Sequence, residues 1–169
     1  GRMERENLLA ADTIGDAANG DGFFDTAVLL GDDQTVAFTD PATHIEPGYE
    51  VNEPWFDYNA DEGVYYRYQY GDAQIDQLTG DQLKYDNVIF QLCECYPLDD
   101  HGYLAIEAEK GGTAYVFTKG TYEKCTWTKD DIESPARYFD EDGNEITINQ
   151  GKTWVCVVYD TKEDQIVIE

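Results

Sequence analysis

From Ile45 onward, apolar and polar positions alternate in short runs broken by Gly, Asn and Asp about every ten residues. That is the rhythm of antiparallel strands and tight turns. Trp55 to Tyr58, the turn Asn59 to Gly63, and Val64 to Tyr70 predict a hairpin that Gly71-Asp72 ends. Asn87 to Cys93 is a strong strand, and shorter ones are expected at Tyr103 to Ile106, Ala114 to Thr118 and Tyr122 to Trp127. Past Pro135 the pattern predicts a strand at Arg137 to Phe139, the turn Asp142-Gly143, a strand at Glu145 to Ile148, a turn at Asn149 to Gly151 and a strand at Thr153 to Tyr159. A last strand, Gln165 to Glu169, is expected to pair back across Asp160 to Asp164.

The first 44 residues read differently. Met3 to Ala11 has helical composition and Gly15 stops it, which predicts a short helix. Asp12 to Gly22 reads as a loop or linker, Phe23 to Leu30 as a short buried element, and Thr35 to Phe38 as a strand. The fold expected is mainly β, a β-rich α+β chain: residues 1–44 form an N-terminal segment, and residues 45–169 form one compact, barrel-like antiparallel domain of roughly eight to ten strands.

Composition supports a folded domain: the chain has 169 residues, 41% of them hydrophobic and 14% aromatic, enough to bury a core without disulfides or metals. Charge narrows the partners. Thirty-six acidic residues against 11 basic ones give a net charge of −25, spread along the chain, which disfavours nucleic acid and anionic lipid surfaces. No run approaches a membrane span and no segment reads as a signal peptide, while the opening Gly1-Arg2-Met3 does not read as a native start and leaves room for a targeting segment upstream.

Several phrases match a known family in order and spacing. They are Tyr66-x-Tyr68-x-Tyr70-Gly71, Ile75-Asp76-x-x-Thr79-Gly80-x-Gln82-Leu83, Asn87-Val88-Ile89, Gly112-x-Ala114-x-Val116-Phe117, Thr126-Trp127-x-Lys129, Ser134-Pro135-x-Arg137-Tyr138-Phe139-Asp140 and Gly151-x-Thr153-Trp154. From about Ile45 to Tyr159 the chain resembles the YerB-type bacterial lipoprotein family, in the C-terminal part of its two-part domain of unknown function. The resemblance implies an extracytoplasmic protein held at the bacterial cell membrane by a lipidated Cys upstream of this chain, after a preceding α/β half-domain that the first forty or so residues would end. One position departs from the family pattern: Gln74 stands where relatives carry His beside the Asp of the Ile75-Asp76 phrase. The resemblance lends a fold and a location, and no reaction.

Candidate chemistry is sparse. Ser134 is the one serine and lacks a nucleophile-elbow turn, and the two histidines, His44 and His101, lie in expected turns. Cys93, Cys95, Cys125 and Cys156 are expected as buried thiols or a disulfide, since Cys-x-Cys lacks zinc spacing. The acidic loop Asp140 to Glu145 raises the calcium question, but Asp-Gly is also the favoured hairpin turn. Asn19 to Gly22 has the look of a calcium loop whose ligand positions fall on Ala17 and Val28, which excludes it. Arg137, an isolated cation before Asp140, is expected to form an ion pair that pins the hairpin, or to anchor a ligand or partner carboxylate.

These residues support no catalytic, metal or cofactor assignment. The candidate ligand or partner contacts are Arg137, Asp76, Trp127 and Tyr138. An exposed Trp55 or Trp127 would offer a sugar-binding face, but core and cross-strand packing account better for these aromatics. The function expected is a non-enzymatic binding or assembly module of the cell envelope, its partner an envelope protein or small ligand. The alternative is an envelope enzyme acting on glycan or peptide through paired carboxylates. An exposed aromatic patch or open sheet edge would favour the first, and an acidic pair in a deep pocket the second.

Overall fold

The computed structural model describes residues 35–101 and 103–169. The short helix expected at Met3 to Ala11 and the element at Phe23 to Leu30 lie outside the described residues. In chain order the strands are β1 (Asp40–Pro41), β2 (His44–Glu46), β3 (Trp55–Asn59), β4 (Val64–Gln69), β5 (Asp72–Ala73), β6 (Lys84–Tyr85), β7 (Asn87–Cys93), β8 (Cys95–Pro97), β9 (Leu104–Ile106), β10 (Gly112–Thr118), β11 (Thr121–Thr128), β12 (Arg137–Phe139), β13 (Thr153–Tyr159) and β14 (Val167–Ile168). One 3₁₀ segment, Asp160–Gln165, precedes β14.

The strands form two six-stranded sheets and a separate two-stranded one. The first sheet runs β1-β11-β10-β7-β13 with β12 also on β11, the second runs β14-β2-β3-β4-β5 with β6 also on β4, and β8 pairs β9 alone. The chain is mainly β, as its pattern predicts, and most pairs are antiparallel. β13, however, lies parallel to β7, with Thr153 opposite Asn87 and Tyr159 opposite Cys93. Instead of closing into a barrel, the sheets stay open and pack face to face, because side chains from both fill one layer: Ile45, Phe56 and Tyr65 from the second meet Val88, Phe90, Phe117 and Val158 from the first.

β7 explains the layering. All seven of its residues are buried, because Val88, Phe90 and Leu92 point into the layer between the sheets while Ile89 and Cys93 point to the opposite face. That opposite face is a second core, where Ala114, Val116, Cys125 and Trp127 are covered by Tyr138, Ile146, Ile148 and Phe38.

Three local expectations change. Thr35 to Phe38 forms no strand, because the Asn149 side chain replaces a partner strand: Val36 N–H donates to its Oδ1 at 2.8 Å and its Nδ2 donates to Val36 O at 2.7 Å. Glu145 to Ile148 makes a single bridge, Glu145 to Phe139, instead of a full second hairpin strand. Gln165 to Glu169 does not pair back on β13. The Asp160–Gln165 turn carries the chain across to the second sheet, where β14 pairs β2, and Glu163 holds that turn by accepting from Tyr115 Oη at 2.7 Å and Lys124 Nζ at 2.8 Å.

Candidate functional site

The four residues singled out in the sequence form no common site: Trp127, Tyr138 and Arg137 are neighbours on β11 and β12, and Asp76 lies in a separate turn. Arg137 makes a bidentate pair with Glu145, Nε to Oε1 at 3.0 Å and Nη2 to Oε2 at 2.7 Å, across the turn that Asp140 Oδ1 caps by accepting from Asp142 N–H and Asn144 N–H. This is the pinning ion pair, and it occupies the guanidinium fork. Asp76 Oδ1 likewise accepts from Leu78 N–H at 2.7 Å and Thr79 N–H at 3.0 Å, and those two amides hold its carboxyl below the usual range, Thr79 more strongly.

Trp127 and Tyr138 are core residues. As candidate contacts both are corrected, and core packing accounts for them: Trp127 is 1% exposed, and its indole Nε1 donates to Leu92 O at 2.8 Å. Its strand is flanked by β10 and β12, and the 136–148 segment closes over its inner face. Tyr138 opposes it in register and donates to Gln91 Oε1 at 2.9 Å. Trp55 is half-buried, stacked on Tyr68 at 4.8 Å.

The four cysteines are free thiols. Burial pushes the Cys125 and Cys156 thiols up to about 12, so both stay protonated near neutral pH.

Arg137→Lys is expected to lower the melting temperature slightly, because an ammonium cannot reproduce the fork. Glu145→Gln should act similarly, and the double variant should be no worse than either single one if the two changes act through one interaction. A thermal-melt cycle checks this.

A further charged cluster lies where β14 joins the second sheet. His44 Nδ1 is 2.6 Å from Asp57 Oδ1 and Nε2 is 3.0 Å from Glu46 Oε1, while the His44 backbone exchanges hydrogen bonds with Glu169. Burial opposes the charged imidazole, yet hydrogen bonds and attraction from Glu46 and Asp57 outweigh it and raise the value above 6.5. The resulting stabilisation is fully present below the ordinary imidazole value and is lost as pH rises through the raised folded value. Melts from about pH 5 to about pH 8 should therefore show wild type losing its advantage over His44→Gln as pH climbs.

What the sequence pattern did not single out is an apolar arm. β8 follows β7 and β9 precedes β10 in the chain, but among the described residues these two strands pair only with each other, Cys95 opposite Ile106 and Pro97 opposite Leu104. Register places Pro97, Leu104 and Ile106 on one face and Tyr96 on the other. Leu98 is 63% exposed, Tyr103 67% and Ile106 48%, and Tyr96 and Leu104 are exposed as well. An isolated two-stranded hairpin is marginal in water, and here both faces carry apolar side chains.

Polar contacts confine the charge to the arm's base and tip. Lys110 pairs with Glu94 at 3.1 Å, Tyr96 Oη donates to Glu107 Oε1 at 2.7 Å, and Asp99 Oδ1 caps the tip by accepting from His101 N–H at 2.9 Å. The sequence signal for such an arm is Tyr96-Pro97-Leu98 facing Tyr103-Leu104 across Asp99-Asp100, but exposure cannot be read from that pattern.

Comparison with known proteins agrees with this architecture. A family model described as the C-terminal domain of a protein of unknown function, DUF3048, matches residues 45–155. The crystal structure of YerB protein from Bacillus subtilis is similar with a TM-score of 0.67 and 21% identity, over 94% of this chain and 53% of that one. The chain thus spans about half the length of that solved protein. No curated protein matches it.

Proposed function

Because the chain belongs to the DUF3048 C-terminal domain family, we propose that it is a non-enzymatic binding or assembly module of the bacterial cell envelope, docking a protein partner through the β8–β9 arm. The observation that carries this reading is the exposure of Tyr96, Leu98, Tyr103, Leu104 and Ile106 on a hairpin that no other strand covers among the described residues. An arm of this kind docks by inserting its side chains into a groove or by pairing a free edge with a partner strand. Carboxylates at its base and tip, Glu94, Glu107, Asp99 and Asp100, in a chain of net charge −25 favour an apolar groove with a basic rim.

The location comes from the family resemblance, and in this reading the longer protein meets the membrane through a lipid anchor. The carboxylate-enzyme alternative has less support. Asp76, Asp131 and Asp140, acids at loop positions where such chemistry would be sought, each accept backbone N–H groups in turns.

The test is co-purification with the membrane-anchored, full-length protein from its native envelope, wild type against an arm variant (Tyr96→Thr, Leu98→Ser, Leu104→Thr, Ile106→Thr). A partner lost from the variant is expected. Recovery of the same proteins by both would overturn the reading.

A further inference from the structure

The loop 47–54, between β2 and β3, packs directly on the Asp160–Gln165 turn. Gly48 sits at φ +76°, and a Cβ built there would lie 2.7 Å from Gln165 Cβ, so the contact requires glycine. The next residue, Tyr49, packs its ring against the core between the sheets, and its hydroxyl donates to Val157 O at 2.7 Å. Tyr70 N–H ties down the far side of the loop by donating to Asn52 O at 2.8 Å. Between these fixed points lies a surface cavity of about 290 Å³, lined by residues 49–52, Val158, Tyr159 and Lys162.

The lining combines apolar side chains with one charge of each sign. Val158 is a buried core residue and Tyr49 packs on the same core, so the inner part is apolar. Glu50 from the loop and Lys162 from the turn form an ion pair, with the Glu50 side chain 70% exposed. The Lys162 hydrogen bond and charge hold the Glu50 carboxyl below its usual range, so both groups are ionised near neutral pH. Asn52 also lines the cavity, and its side-chain amide has no hydrogen-bond partner among the described residues. An exposed ion pair adds little to folding, so a ligand that supplies both counter-charges can take its place at small cost. Because Glu50 and Lys162 touch, such a ligand must carry its own opposite charges side by side.

We propose that this cavity binds a free α-amino acid with an apolar side chain, its ammonium on Glu50, its carboxylate on Lys162 and its side chain against Tyr49, Val158 and Tyr159. Ammonium and carboxylate on one carbon match two protein charges that already meet. The Asn52 amide offers the carboxylate a second donor. A ligand with a single charge would leave one member of the pair without a partner, which discriminates against it. The volume is at the low end for small-molecule sites, which suits one such molecule rather than a polymer. This site shares no residue with the β8–β9 arm and is independent of the docking role.

Titration calorimetry and thermal melts with L-leucine and L-phenylalanine test it. The controls are N-acetylleucine, which lacks the ammonium, leucinamide, which lacks the carboxylate, and glycine, which lacks the side chain. At least one of the two amino acids should bind wild type and raise its melting temperature, and each control should bind at least about tenfold more weakly. Glu50→Gln and Lys162→Gln should melt close to wild type, because the pair is exposed, yet each should weaken amino-acid binding at least about tenfold. If a variant is destabilised, the controls on wild type still decide. The proposal is overturned if neither amino acid binds wild type, if any control binds as well as the amino acid, or if a folded variant binds it as wild type does.

Discussion

Trp127→Ala is expected to cost about 3–5 kcal/mol of folding stability. Trp127 is among the largest fully buried side chains, on the strand between β10 and β12, and it closes the second core against Tyr138. Removing the indole leaves a cavity and strips Leu92 O of its donor. The surroundings cannot collapse to fill it, because Gly112 lies opposite in register and offers no side chain. Against a typical total of about 5–15 kcal/mol, this loss brings the domain close to unfolding at physiological temperature. Trp127→Phe keeps most of the volume and should cost less. Denaturant titrations of both variants check this, and an alanine variant within about 1 kcal/mol of wild type would contradict the two-core account.

The arm variant should behave in the opposite way. Tyr96, Leu98, Leu104 and Ile106 are exposed and contribute little to either core, and polar substitutions at such positions usually change stability by no more than about 0.5 kcal/mol. If these side chains anchor a partner, each central one contributes about 2 kcal/mol or more to binding, so replacing all four should weaken it by at least about a hundredfold. Melting curves and a titration against the purified partner measure the two effects separately. A variant that loses both stability and binding would show the arm to be part of the fold.

Much of the sheet was legible because its signals are local. The β3–β4 hairpin follows from alternation around Asn59 to Gly63, and β7, β10, β11 and β13 from their runs of aromatic and β-branched residues. What escaped depends on contacts between distant segments. Nothing in Thr153 to Tyr159 reveals a parallel partner, and nothing near Val36 reveals that Asn149 binds it through its side chain. What packs on Trp127 was not legible, because the segment that covers it comes later and is irregular.

Which face of β4 turns inward was hidden for a related reason. In Val64-Tyr65-Tyr66-Arg67-Tyr68-Gln69 the faces of the strand look alike, and a one-residue choice of register decides whether Tyr65 and Arg67 or Tyr66 and Tyr68 turn inward. The pinning role of Arg137 was legible because its partner lies within the same hairpin. The arm's strands could be read in part, but not that they stand apart from both sheets.

Photo-cross-linking in the native envelope tests the docking arm most directly. A photoreactive residue is placed at Leu98 in the anchored protein and, as a control, at Ile132, which is equally apolar and 65% exposed. The account predicts one discrete cross-linked partner from position 98 and none from position 132. No discrete product at 98, or the same products from both positions, would contradict it.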